Sequence, residues 1–62
     1  MNRNGSAPLR ALIVDDEIHG RDVVRHMLRP HADCTIVGEA SNGVRALEEI
    51  PAHRPVVVFL DI

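Results

Sequence analysis

Three short apolar runs alternate with two segments whose apolar residues fall at helical spacing, and this alternation leaves very few folds open. The first run, Ala11 to Val14 within "LRALIVDDE", ends abruptly in Asp15, Asp16 and Glu17. A short, continuous, β-branched run of this kind predicts a strand buried on both faces. From Ile18 to Arg29 the period changes. Val24, Met27 and Leu28 lie at i, i+3 and i+4, flanked by Val23 and Ile18, while Arg21, Arg25 and Arg29 mark the opposite side. That pattern predicts an amphipathic helix stopped by Pro30, with Asp15 or Asp16 capping its first turn. "CTIVGEA" predicts a second strand, and Ser41-Asn42-Gly43 a turn with glycine at positive φ. "VRALEEI" predicts a second helix with Val44, Leu47 and Ile50 on one face, its exit bracketed by Pro51 and Pro55. The run Val56 to Leu60 is the third strand.

Alternating elements of this length indicate parallel βαβ units. Crossovers between parallel strands are almost always right-handed. If the second strand pairs on one side of the first and the third on the other, the helices fall on opposite faces. The resulting strand order, 2-1-3, begins a doubly wound, flavodoxin-like α/β sheet, whose ligand crevice lies beyond the carboxyl ends of strands one and three. Those ends carry Asp15, Asp16 and Asp61. Neighbouring strands are about 4.8 Å apart, so three carboxylates would converge and repel one another.

A divalent cation removes that conflict. Oxygen-only ligands suit Mg²⁺, which keeps several waters and takes one or two carboxylates plus a phosphate. The acids therefore suggest a metal-assisted phosphoryl site, with one Asp as ligand and another as nucleophile. Singly, Asp15 and Asp16 read as helix caps and Asp61 as a solvated residue past a strand. Together, at the ends of two neighbouring strands, they read as a site.

Composition excludes other classes. The chain has 62 residues, enough for one small domain at most, with 45% hydrophobic and 26% charged residues and a formal net charge of -2. So weak a charge gives no reason to expect nucleic acid or an anionic membrane as a direct partner. All seven basic residues are Arg. The single Cys34 cannot form an internal disulfide, the apolar runs are too short to span a bilayer, and "MNRNGSAP" lacks a signal-peptide core. A cytoplasmic location is expected, with 1–7 as a disordered lead-in. His19, His26, His31 and Cys34 match no standard zinc spacing and read as solvent-facing histidines and a small strand filler. "GEASNG" lacks the phosphate-loop lysine. The stripe Arg21, Arg25, Arg29 reads as a solvated helix face.

"ALIVDDE", "VGEASNGVRALEEI" and "VVVFLDI" stand in the order and spacing of the receiver domain of bacterial response regulators. From Leu9 to Ile62 the sequence resembles that family, whose fold is flavodoxin-like (CheY-like). The resemblance implies a regulatory phospho-acceptor, not an enzyme. Asp61 would accept a phosphoryl group from a sensor histidine kinase, Asp16 would ligate Mg²⁺ directly and Asp15 through water. It also implies a role in transcription, with DNA reached only through an output domain outside this chain. The wording of "VVVFLDI" is most similar to LytR/AlgR regulators with a LytTR output. Val56 departs from the family, which commonly has Asp after the proline.

A whole receiver has further strands and helices, so residues 8–62 are expected to form its N-terminal half, β-α-β-α-β. The parts that supply a carbonyl ligand, a hydroxyl residue and a phosphate-pairing Lys are not in this chain, and the piece alone is expected to be incompetent in the phosphoryl cycle. Its third strand would be an open edge, prone to self-association. Two rivals remain: a fragment of a metal-dependent aspartyl-phosphate phosphohydrolase, disfavoured because that chemistry uses DxD spacing, and a short non-catalytic receiver-like interaction protein.

Overall fold

The computed structural model describes residues 8–61, so the expected lead-in 1–7 lies outside the described residues. In chain order it holds β1 (Leu9–Asp15), α1 (Ile18–Leu28), β2 (Cys34–Ala40), α2 (Gly43–His53) and β3 (Val57–Asp61). All strands are parallel in the order β2-β1-β3. Flanked on both edges, β1 carries the core: Ala11 to Asp15 are all buried. This is the expected continuous run.

The strand pleat sends alternate residues to opposite faces, and each face receives one helix. Leu12 and Val14 cluster with Ala40 and with Ala46 of α2. Ile13 is the register partner of Glu39, whose carboxylate points the other way, to Arg21 and Arg25 of α1. The two helices therefore cover opposite sides of the sheet, giving the doubly wound, CheY-like arrangement. The β1/β2 register shifts between Ala11 and Leu12, where β2 accommodates one extra residue. Backbone bonds extend the sheet past the strand ends, from Leu9 N–H to Asp33 O at 2.7 Å and from Val56 N–H to Arg10 O at 2.8 Å.

Several local features differ from the sequence expectations. Helix α2 does not turn Val44 and Leu47 inward; they are 70% and 74% exposed, while Ala46 is buried. Gly38 lies on the face of β2 beneath α2. A Cβ there would stand 2.9 Å from Glu49 Oε1 and 3.1 Å from His53 Cδ2. The residue of α2 buried against the sheet is Ala46, which clusters with Leu12, Val14 and Ala40.

Gly43 has no left-handed backbone; it opens α2, and Asn42 provides the cap by accepting the Arg45 N–H at 2.8 Å. The helix exit is bracketed by Pro51 and Pro55 as expected, and Pro51 sits inside the helix. It lies in the last turn, where it removes one donor, and α2 continues to His53. The left-handed residue is Arg54, at φ 50°. Its N–H bonds Ile50 O at 2.8 Å, and Arg10 donates to His53 O through Nε at 3.1 Å and through Nη2. A cation from β1 thus closes the negative end of α2. Helix α1 ends at Leu28, with Arg29 as its C-cap.

Candidate functional site

β1 and β3 run side by side to their carboxyl ends, where the last register pair is Asp15 and Asp61. On its other edge the paired register of β1 stops one residue earlier, at Val14 and Ala40. Strand alternation puts both paired acids on the α1 face of the sheet. Asp61 is exposed at the tip of β3, and Asp16 is exposed in the bend that leaves β1. Asp15 differs from both, being only 5% exposed.

The Asp15 carboxylate lies against the first turns of α1. Its Oδ1 accepts the Glu17 N–H at 2.9 Å. A Cβ placed on Gly20 would stand 1.9 Å from Oδ2 and 2.6 Å from Cγ, so this arrangement exists only because residue 20 has no side chain. Oδ2 has no hydrogen-bond partner among the described residues. The expected cap takes a different form as well. Glu17 is the N-cap and makes no side-chain cap bond, so Asp15 braces the turn ahead of the helix instead of capping it.

The arginine stripe is divided. Arg21 Nη1 donates to the main-chain carbonyl of Asp15 at 2.7 Å, and its Nε donates to Glu39 Oε1 at 3.1 Å. Arg25 pairs with the second oxygen of Glu39. Arg25 and Arg29 are exposed, as expected for the stripe, whereas Arg21 is withdrawn from solvent. Among the described residues Asp15, Asp16 and Asp61 form no ion pair with a cationic side chain.

Asp15 and Asp61 lie at neighbouring strand ends as the sequence predicts, whereas the contacts of Gly20, Arg21 and Glu39 were no part of that expectation. The available signal was Glu39 itself, a lone acid inside an otherwise apolar strand, facing two arginines four residues apart on the adjacent helix.

The residues fit a hard divalent cation in donor chemistry. They offer only carboxylate oxygens, on adjacent strand ends, and one buried oxygen has no partner among the described residues. They do not form a closed cage: among the described residues no three His, Cys, Asp or Glu side chains converge to hold a metal. The reason is local, since Asp15 turns its carboxylate onto Glu17 and Gly20. An ion that takes one or two protein carboxylates and completes its shell with water needs no such cage.

The response regulator receiver domain model matches residues 11–62. An uncharacterized response regulatory protein of Shewanella oneidensis is 43% identical over 54 residues, covering 87% of this chain and 23% of that protein. The sensory transduction protein LytT of Bacillus cereus is 44% identical over 54 residues, covering 87% of this chain and 22% of LytT. The transcriptional regulatory protein BtsR of Escherichia coli is 44% identical over 54 residues, covering 87% of this chain and 23% of BtsR. The chain therefore spans less than a quarter of the length of these relatives. No solved structure matches it. With the strand order, the paired acids and the family match in agreement, the chain belongs to the response regulator receiver domain family of two-component signalling.

Proposed function

We propose that this chain carries the phospho-accepting residue of a two-component response regulator, and that this residue is Asp61. The observation that carries the reading is the register pair Asp15 and Asp61 at the carboxyl ends of adjacent parallel strands, one acid buried and the other exposed. An Asp61 carboxylate oxygen attacks the phosphorus of a kinase phosphohistidine. The phosphorus–nitrogen bond breaks, and the imidazole departs with the electron pair. Exposure at the strand tip leaves Asp61 open to a partner's phosphohistidine. Asp15, braced by the Glu17 N–H, stands next to it as a fixed negative group, and Asp16 follows in the bend. A bound Mg²⁺ would neutralise charge on the transferring phosphoryl group, and Asp15, Asp16 and Asp61 are the residues to hold it.

The acyl phosphate on Asp61 then biases a regulatory surface; the chain itself acts as an acceptor and not as an enzyme. The relative BtsR is a transcriptional regulatory protein, which supports a transcriptional output for this chain, with DNA reached through a separate domain. A histidine kinase as donor and a cytoplasmic site of action follow from the same reading. Among the described residues no helix is long and apolar enough to cross a membrane. The test is to incubate the chain with Mg²⁺ and a small phosphodonor and to map the added phosphoryl mass. Label on Asp61, slower and less complete than in a whole receiver and lost in Asp61→Asn, is expected. Label that persists in that variant, or that maps to Asp15 or Asp16, would refute the assignment.

A further inference from the structure

We propose that Arg21 is the positioning residue of the acidic site, holding the end of β1 so that Asp15 stands beside Asp61. The inference rests on the reading of Asp15, Asp16 and Asp61 as a cation and phosphoryl site. Three elements meet at one guanidinium. Nη1 donates to the Asp15 carbonyl at 2.7 Å, Nε donates to Glu39 of β2 at 3.1 Å, and the side chain, rooted in α1, is only 16% exposed. Asp15 lies one residue past the last β1/β2 register pair, and it is there that Arg21 takes its carbonyl. Glu39 fixes the guanidinium from the β2 side. Arg25 occupies the other oxygen of Glu39 and so keeps that carboxylate turned toward α1.

A simple surface ion pair would be of little consequence. The bond to the Asp15 carbonyl separates this contact from one. Gly20 and Arg21, adjacent in sequence, act on the two ends of the same aspartate. Gly20 leaves space for its carboxylate, and Arg21 holds its carbonyl. The task calls for arginine, because a planar fork presents separate N–H directions at fixed angles to carbonyl and carboxylate. Lysine offers one flexible ammonium and cannot hold both at set geometry.

The test is a Mg²⁺ titration of the ¹⁵N-labelled chain, read on the amide resonances of Asp15, Asp16 and Asp61, with metal-free hydrogen exchange at Glu17 read separately. Arg25→Gln, which removes only a partner of Glu39, should keep the Mg²⁺ Kd within about twofold. Arg21→Gln should raise it by about tenfold or more, as outer residues that orient metal ligands do. Arg21→Lys should fail to rescue, and Glu17 exchange should quicken in both Arg21 variants as the Asp15 brace loosens. Equal Kd values for Arg21→Gln and Arg25→Gln, or full rescue by Arg21→Lys, would overturn the proposal. Should Arg21→Gln lose its dispersed spectrum, Arg21→Lys decides on the same two readouts. If the unaltered chain shows no Mg²⁺ response at the three acids, the site reading fails, while Glu17 exchange still judges Arg21.

Discussion

Two glycine-to-alanine changes in helices should act in opposite directions, and the contrast tests how Asp15 is seated. Replacing glycine by alanine within a helix ordinarily gains about 0.8–1 kcal/mol. At Gly43 nothing lies within 4 Å of the new Cβ, so Gly43→Ala should stabilise the fold. Because Gly43 is the first residue of α2, the gain should be a few tenths to about 1 kcal/mol. At Gly20 the new Cβ would stand 1.9 Å from Asp15 Oδ2, a distance no real contact reaches. The carboxylate must move, and moving it breaks the 2.9 Å bond from the Glu17 N–H at a site only 5% exposed. A hydrogen bond to a charged group contributes about 1.5–3 kcal/mol. Setting that loss against the helix gain leaves Gly20→Ala destabilised by about 0.5–2 kcal/mol, or roughly two- to thirtyfold in the folded-to-unfolded ratio. Urea titration followed by far-UV circular dichroism, without metal, measures both variants on one scale. If Gly20→Ala stabilises as much as Gly43→Ala, the Asp15 carboxylate is not seated against α1 and the reasoning fails.

Arg54 sits at φ 50°, where a non-glycine residue costs about 1–2 kcal/mol and glycine gives back about 0.5–1 through its freer unfolded chain. Arg54→Gly should therefore raise the thermal midpoint, reflecting a stability gain of up to about 1.5 kcal/mol; a lowered midpoint would show the conformation to be unstrained. Among the described residues the outer edge of β3 is unpaired and Val58 on it is 44% exposed, so Val58→Lys should reduce self-association in sedimentation velocity. Undiminished association would place the contact elsewhere. Amide exchange should be slowest in Leu12 to Val14, paired on both edges, and faster in Val58 to Leu60, paired on one. Equal protection would mean that β3 is covered in solution.

The strand order and the placing of the acids were legible because they follow from constraints acting on whole elements. A doubly buried strand must read as a continuous apolar run, and Ala11 to Val14 does. Once β2 and β3 pair on either side of β1, the parallel order brings the carboxyl ends of β1 and β3 together whatever the side chains are, and right-handed crossovers put the helices on opposite faces. The faces of the helices were less legible. Val44, Leu47 and Ile50 announce a helix through their spacing, but periodicity defines a stripe and not its partner. The partner lies on other elements: Ala46 makes the buried contact, with Leu12, Val14 and Ala40. Gly43 differed from expectation for a related reason. Glycine is a turn former by habit, yet the Asn42 cap accommodates Gly43 as the first residue of α2.

The site divides in the same way. Its acids announce themselves by lying at strand ends, whereas Arg21 is disguised by lying in a stripe with Arg25 and Arg29. Three arginines four residues apart look like one solvated face, and only Glu39, fourteen to eighteen positions on, separates the first two from the third. The burial of the strands gives this separation its meaning. β1 is buried from Ala11 to Asp15, while β3 alternates half-buried and exposed residues and ends exposed at Asp61. The carboxylate proposed as acceptor lies on the more open strand, and in that reading it must meet its neighbour at a set distance. The tighter strand has to supply that precision, so the arginine that matters should act on β1. Arg21 holds the carbonyl of Asp15, the last residue of that strand.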